Sequence, residues 1–283
     1  MARTKKLFAA LTRRGPHRVL RGDLAFAGLP GIVYTPSSGF NLPGVAFGHD
    51  WLTEVDHYQK TLEHLASWGI VAAAPNTERG FAPSVLNLSV DLGTTLDIIT
   101  GVRLGPGEIS VHPTKLGLAG HGFGGSAAVF AAAGLSGART GAPKAVAPLF
   151  PTVTKPPAAQ PAASLKLPGL VLSAPDDQLS LRTDALGLAD AWPGSVLHVV
   201  SKADSAGLAE KRRFAKVVGM PGSDKRTQKA VRALLTGFLL YHLAGDKTYQ
   251  VFADPEAALP KTVPVDPEAP VVPVDEQIVA LLK

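Results

Sequence analysis

Short apolar runs alternate with longer amphipathic stretches along most of this chain. Gly44–His49 (GVAFGH) reads as a buried strand, and a helical pattern follows from Val55 to Trp68. Ile70–Asn76 (IVAAAPN) is another short apolar run, followed by the helix-like VLNLSVDLGTTLDIITGV. Then come KLGLAG, a glycine turn and an alanine-rich helix, after which KAVAPLFP, GLVLSAPD and SVLHVVSK supply three further strand candidates. Nearly continuous hydrophobic strands separated by helices predict an α/β protein with a mostly parallel sheet covered on both faces. Ligands of such sheets bind beyond the carboxyl ends of the strands. The loops after His49, Asn76, Gly120, Asp176 and Lys202 are therefore where chemistry is expected.

The periodicity fails in two places. Pro151–Pro168 (PTVTKPPAAQPAASLKLP) is rich in proline and alanine and predicts an extended surface loop. Asp254–Glu276 carries prolines at 260, 264, 267, 270 and 273 among valines and acids. That composition predicts an extended, polyproline-like tail and no packed strand. The terminal DEQIVALLK is long enough for one or two helical turns but too short to be a stable helix alone. The chain thus divides into an N-terminal arm (1–22), an α/β domain (23–253) and an acidic Pro/Val-rich tail (254–283).

Composition sharpens this division. Hydrophobic residues make up 46% of the 283 positions and charged residues 18%, which is ample for a buried core and argues against global disorder. There is no cysteine, which excludes disulfides, thiolate metal sites and a cysteine nucleophile. The formal charge is +5, but Arg3, Lys5, Lys6, Arg13, Arg14, Arg18 and Arg21 all precede the first acid, Asp23, leaving the remainder at about −2. The arm is either a solvated, partly frayed terminus or a contact for anionic lipid, nucleic acid or an acidic protein surface. No nucleic acid partner is expected, since no aromatic interleaving or recognised motif accompanies the charge. LFAAL is too short for a secretory h-region, and no span of about 18 apolar residues predicts a transmembrane helix. A cytoplasmic protein is expected, peripheral at the membrane if the arm engages lipid.

The glycine turn carries the most specific signal. Gly120-His121-Gly122-Phe123-Gly124 lies between a strand and a small-residue helix and fits the G-x-S-x-G nucleophile elbow, with glycine at its centre. VAFGHDWLTEVDHYQKTLEHLASWGIVAAAPNT, LGLAGHGFGGSAA, LPGLVLSAPDDQLS and FLLYHLAGDKTYQVF follow one another in the order and spacing of a known family. From about Gly22 to Phe252 the chain resembles the α/β-hydrolase fold, and within it the dienelactone hydrolase and polyester hydrolase (cutinase-like) branch.

The resemblance implies roles for individual residues. The nucleophile falls at Gly122, which has no side chain to form an acyl intermediate, although glycine suits the strained backbone of the turn. Ser126, one helical turn on, points away from the site and reads as a packing residue. The acid falls on Asp177, with Asp176 beside it. The base falls at Asp204, followed by Ser205, and no histidine is near. His198 reads as a buried, hydrogen-bonded strand residue and His242 belongs to the terminal helix. His121 occupies the variable position of the elbow, while His49 and His57 flank the oxyanion loop. Backbone N–H groups of Trp51 and Phe123 form the implied oxyanion hole. Asp50 stands where the family usually has glycine, so its carboxylate either repels an anionic ligand or occupies the hole itself. Trp51 and Phe81 either wall a pocket for an apolar or acyl-type ligand or are ordinary core or rim aromatics.

Gly120-x-Gly122-x-x-Gly125 also spells G-x-G-x-x-G. That dinucleotide fingerprint belongs to a first strand with an acid about 20 residues on, whereas Arg139 is the charge near that place here. No cofactor and no metal are expected. Two functions remain: a catalytically silent scaffold for a ligand or a protein partner held by 254–283, and a hydrolase of atypical mechanism using water activated by Asp177, Asp204 or a histidine.

Overall fold

The computed structural model describes residues 2–137, 141–175, 177, 182–210 and 222–263. Its strands are β1 (Val19–Asp23), β2 (Gly31–Pro36), β3 (Gly39–Gly48), β4 (Val71–Pro75), β5 (Ile109–His121), β6 (Ala145–Leu149), β7 (Gly169–Ser173), β8 (Ser195–Val200) and β9 (Thr262–Val263). They form one sheet in the order β1-β2-β4-β3-β5-β6-β7-β8-β9. Strand β2 runs antiparallel to both its neighbours and β9 antiparallel to β8, while every pair from β4 through β8 is parallel. The predicted α/β architecture is present, and the order, with its β4-β3 inversion, is α/β-hydrolase-like.

Successive strand side chains point to opposite faces, so the sheet divides the core in two. On β3, Val45 and Phe47 enter one layer and Ala46 the other. The helices are α1 (Ala2–Leu11), α2 (Gln59–Ser67), α3 (Val85–Gly101), α4 (Phe123–Gly134), α5 (Ala159–Ala162), α6 (Ala185–Ala191) and α7 (Lys225–Leu239). Leu62 and Leu65 of α2 and Leu234, Leu235 and Phe238 of α7 fill the first layer. Leu88, Leu92 and Leu96 of α3, Ala127 and Ala128 of α4, and Leu188 of α6 fill the second.

Three expectations need correcting. The N-terminal arm is not a frayed end: α1 packs on α7 through buried Phe8 and Leu11, and Val19–Asp23 extends the sheet. LFAAL is too short for a membrane but long enough to present an i, i+3 apolar stripe, which finds a partner on α7. The acidic segment begins as packed structure, with Leu259 buried and Thr262–Val263 paired to Val200 and Val199. Such a two-residue strand needs no period-2 run and left no trace in the proline-rich pattern. Residues 264–283, read as extended tail and short helix, lie outside the described residues. The loop Pro151–Pro168 is not extended throughout, since it contains α5 and a bridge from Thr152 to Thr183. No helix of the described residues is long and apolar enough to cross a membrane.

Helix α2 has no side-chain cap of its own at Tyr58. Glu210 supplies one from across the chain, accepting from the N–H groups of Lys60 at 2.8 Å and Thr61 at 2.9 Å and from Thr61 Oγ1 at 3.0 Å. Burial pushes its carboxyl above the ordinary range, with these hydrogen bonds and Arg232 opposing. A carboxylate at a helix N-terminus satisfies orphan donors and the helix dipole together. Glu210→Ala is therefore expected to lower unfolding free energy by about 2–3 kcal/mol. Urea unfolding measures this, and a change below about 0.5 kcal/mol would show that the cap contributes little.

Candidate functional site

Strand β5 ends at His121, and the chain turns into α4 through Gly122, whose φ of 53° and ψ of −117° place it in a backbone region that side chains disfavour. The turn also brings α4 hard against the neighbouring strand. A Cβ on Gly124 would stand 2.2 Å from the carbonyl carbon of Gly48. The glycine frame is thus required by close packing, and the strand–turn–helix context of an elbow is complete.

Opposite Gly122 lies Asp50. Its Oδ1 accepts from the N–H of Phe123 at 3.0 Å, at the N-terminus of α4. A Cβ on residue 122 would lie 2.1 Å from that oxygen and 2.5 Å from Asp50 Cγ. The carboxylate therefore occupies both the space of a nucleophile's side chain and one donor of the implied oxyanion hole. The carboxylate of Asp50 thus sits on the N–H that the resemblance assigns to the hole.

A buried hydrogen-bonded chain holds the Asp50 loop. The Asp50 N–H donates to Tyr58 Oη at 3.1 Å, and Tyr58 Oη meets His121 Nδ1 at 2.8 Å. His121 Nε2 meets the Ser205 carbonyl at 2.9 Å, where only an N–H donor fits. His121 is accordingly the Nε2–H tautomer in this arrangement, with Tyr58 donating to Nδ1. The network joins the loop after β3, the glycine turn after β5 and the loop after β8. His49, fully buried, places its ring nitrogens against the carbonyls of Asp50 at 2.9 Å and Thr77 at 2.7 Å. Tyr58 was missed in the sequence, although a tyrosine on the buried side of a helix start needs a partner for its hydroxyl.

The remaining positions are committed locally. Asp177 is buried, correcting the exposed loop aspartate expected once its partner is lost, and its Oδ2 accepts from Ala174 N–H at 2.7 Å and Ser173 Oγ at 3.1 Å. Asp176 lies outside the described residues. Asp204 caps its own turn, accepting from Ala206 N–H at 3.0 Å. Ser126 is buried and donates to the Thr152 carbonyl at 2.7 Å, as a packing serine would. His57 Nδ1 lies 3.2 Å from the Glu54 carbonyl at the turn preceding α2. His198 is buried as expected, but its Nε2 has no hydrogen-bond partner, which corrects the hydrogen-bonded reading. His242 stacks edge-on against Phe238, and burial holds its pKa below the ordinary value.

The two aromatics are solvent-exposed. Phe81 is 86% exposed and Trp51 49%, so neither is a core residue. A cleft of about 330 Å³ lies at the antiparallel β1–β2 edge of the sheet, beside the loop between α3 and β5, lined by Leu20, Phe26, Leu104 and Arg103 among others. The fold is α/β and α/β-hydrolase-like, and glycine stands at the centre of the tight turn between β5 and α4. Neither a family model nor any curated protein matches this sequence.

Proposed function

We propose that this chain is a catalytically silent protein of hydrolase-like fold that works by binding, holding a small apolar or acyl-type ligand or a protein partner. It reads as a degenerate relative of the dienelactone and polyester hydrolase branch. The observation that carries the reading is the Asp50 carboxylate seated on the Phe123 N–H above Gly122. Acyl transfer needs a nucleophile, an oriented base and donors aimed at the developing oxyanion. Here the first has no side chain, the base position caps its own turn, and one donor already holds an anion. His121 does not replace the base, because both ring nitrogens are engaged away from the elbow.

One observation favours a second reading. A carboxylate at the nucleophile's place is itself a candidate base for water, giving hydrolysis without a serine. The two readings separate in one experiment. Short-chain aryl esters and a fluorophosphonate probe are applied to the protein and to Asp50→Asn, Ser126→Ala and Asp177→Ala. The binding reading expects no labelling, no turnover above background, and a melting temperature that rises with ester concentration. Turnover abolished by Asp50→Asn would establish the atypical hydrolase, and turnover abolished by Ser126→Ala would overturn both.

A further inference from the structure

We propose that the outer surface formed by α1 and α7 is a docking face for an anionic lipid bilayer. This goes beyond the elbow and does not depend on it. Helix α1 lies against α7, with Phe8 and Leu11 turned inward and Arg3, Lys5 and Lys6 exposed. Arg13 and Arg14, just past its end, are exposed too. Helix α7 exposes Lys225, Arg226 and Lys229. Neither helix contains a single acidic residue. Among the described residues, Arg14 is the one member of this group in an ion pair, with Glu63 at 3.5 Å.

The sequence places much of the positive charge on an apparent arm, but packing of α1 on α7 fixes that charge on the body, beside a helix whose own exposed charges are basic. Like charges held together on a folded surface repel one another, and an anionic partner relieves that repulsion. A bilayer fits better than a single-stranded nucleic acid, because the rings of both helices, Phe8 and Phe238, are buried and none is offered for base stacking. The apolar stripes of both helices are spent in the core. Binding is therefore electrostatic adsorption without insertion, in which each basic residue near the surface adds about a fivefold factor in partitioning.

The full chain is tested by co-sedimentation with vesicles of phosphatidylcholine alone or with about 30% phosphatidylserine, at about 50 and 300 mM salt. Sedimentation is expected only with phosphatidylserine and only at low salt. The variant Lys5→Glu/Lys229→Glu is expected to lose at least about 25-fold in partitioning, a fivefold factor for each lysine removed. The variant Lys155→Glu/Lys166→Glu, which makes the same charge change around α5 in the other layer, is expected to bind within about threefold of the parent. Circular dichroism confirms that both variants fold. Equal binding to both vesicle types, equal loss in both variants, or no sedimentation would overturn the proposal. So would binding of a duplex oligonucleotide through Lys5 and Lys229 in the absence of vesicle binding.

Discussion

Gly122→Ser is expected to cost about 2–4 kcal/mol of stability and to yield no esterase. The new Cβ would stand 2.1 Å from Asp50 Oδ1, far inside contact distance, so the carboxylate must leave the Phe123 N–H or α4 must shift. Overpacking of this kind costs about 1–3 kcal/mol, and a side chain at φ 53° adds roughly 1 more. Activity does not return, because no imidazole stands at residue 204 to take the serine proton. Asp50→Gly alone loses the hydrogen bond and the anion at the helix N-terminus, costing about 1–2 kcal/mol. Combined with Gly122→Ser it removes the clash, so the double variant should be more stable than the sum of the single losses by at least about 1 kcal/mol. Urea unfolding of the four proteins closes this cycle. Additive losses would mean that the carboxylate and residue 122 do not compete for one space.

Acid should unfold this protein in a window set by two buried histidines. His64, on α2, and His198, on β8, are both held down to about 4 from an ordinary 6.5. Burial is the main cause for each. Arg232 lowers His64 further while a hydrogen bond to Leu11 opposes, and Asp254 opposes the shift at His198. Nε2 of each ring has no partner, so no acceptor compensates an added proton there. In the unfolded chain both rings protonate near 6.5, whereas in the folded chain they resist until about 4. The unfolded state therefore binds more protons in between. The stabilisation is complete above pH 6.5 and is lost progressively as pH falls to about 4, amounting to roughly 3 kcal/mol per histidine. Glu210 acts in the opposite sense, since burial favours its neutral form, so single variants rather than the whole curve isolate the effect. His198→Leu is expected to flatten the urea midpoint between pH 6.5 and 4 and to be the more stable protein at the acid end. A profile parallel to that of the parent would show that His198 titrates alike in both states.

Much of the fold was legible because burial and secondary structure leave local periodic signals. Val45, Ala46 and Phe47 form a continuous apolar run, and the sheet buries all three, on alternating sides. Glycine at the centre of the turn and the lack of histidine from 199 to 210 were legible as well, since they need only the residue types. The N-terminal helix was harder, because seven basic residues masked a two-residue stripe whose worth depends on what α7 presents to it. Strand β9 was not legible at all, as two residues carry no period.

By itself, the sequence determined the alternation of strands and helices, the glycine turn after β5 and the absence of histidine in the loop around Asp204. It also placed a carboxylate at residue 50 and left two outcomes for it. Tertiary structure alone decided between them, seating Asp50 on a donor 73 residues away. It likewise tied Tyr58 to His121 across 63 residues and brought Glu210 to the start of α2 across 150. The physical reason is that periodicity records which side of an element is buried, whereas a polar contact depends on which elements the sheet order makes neighbours.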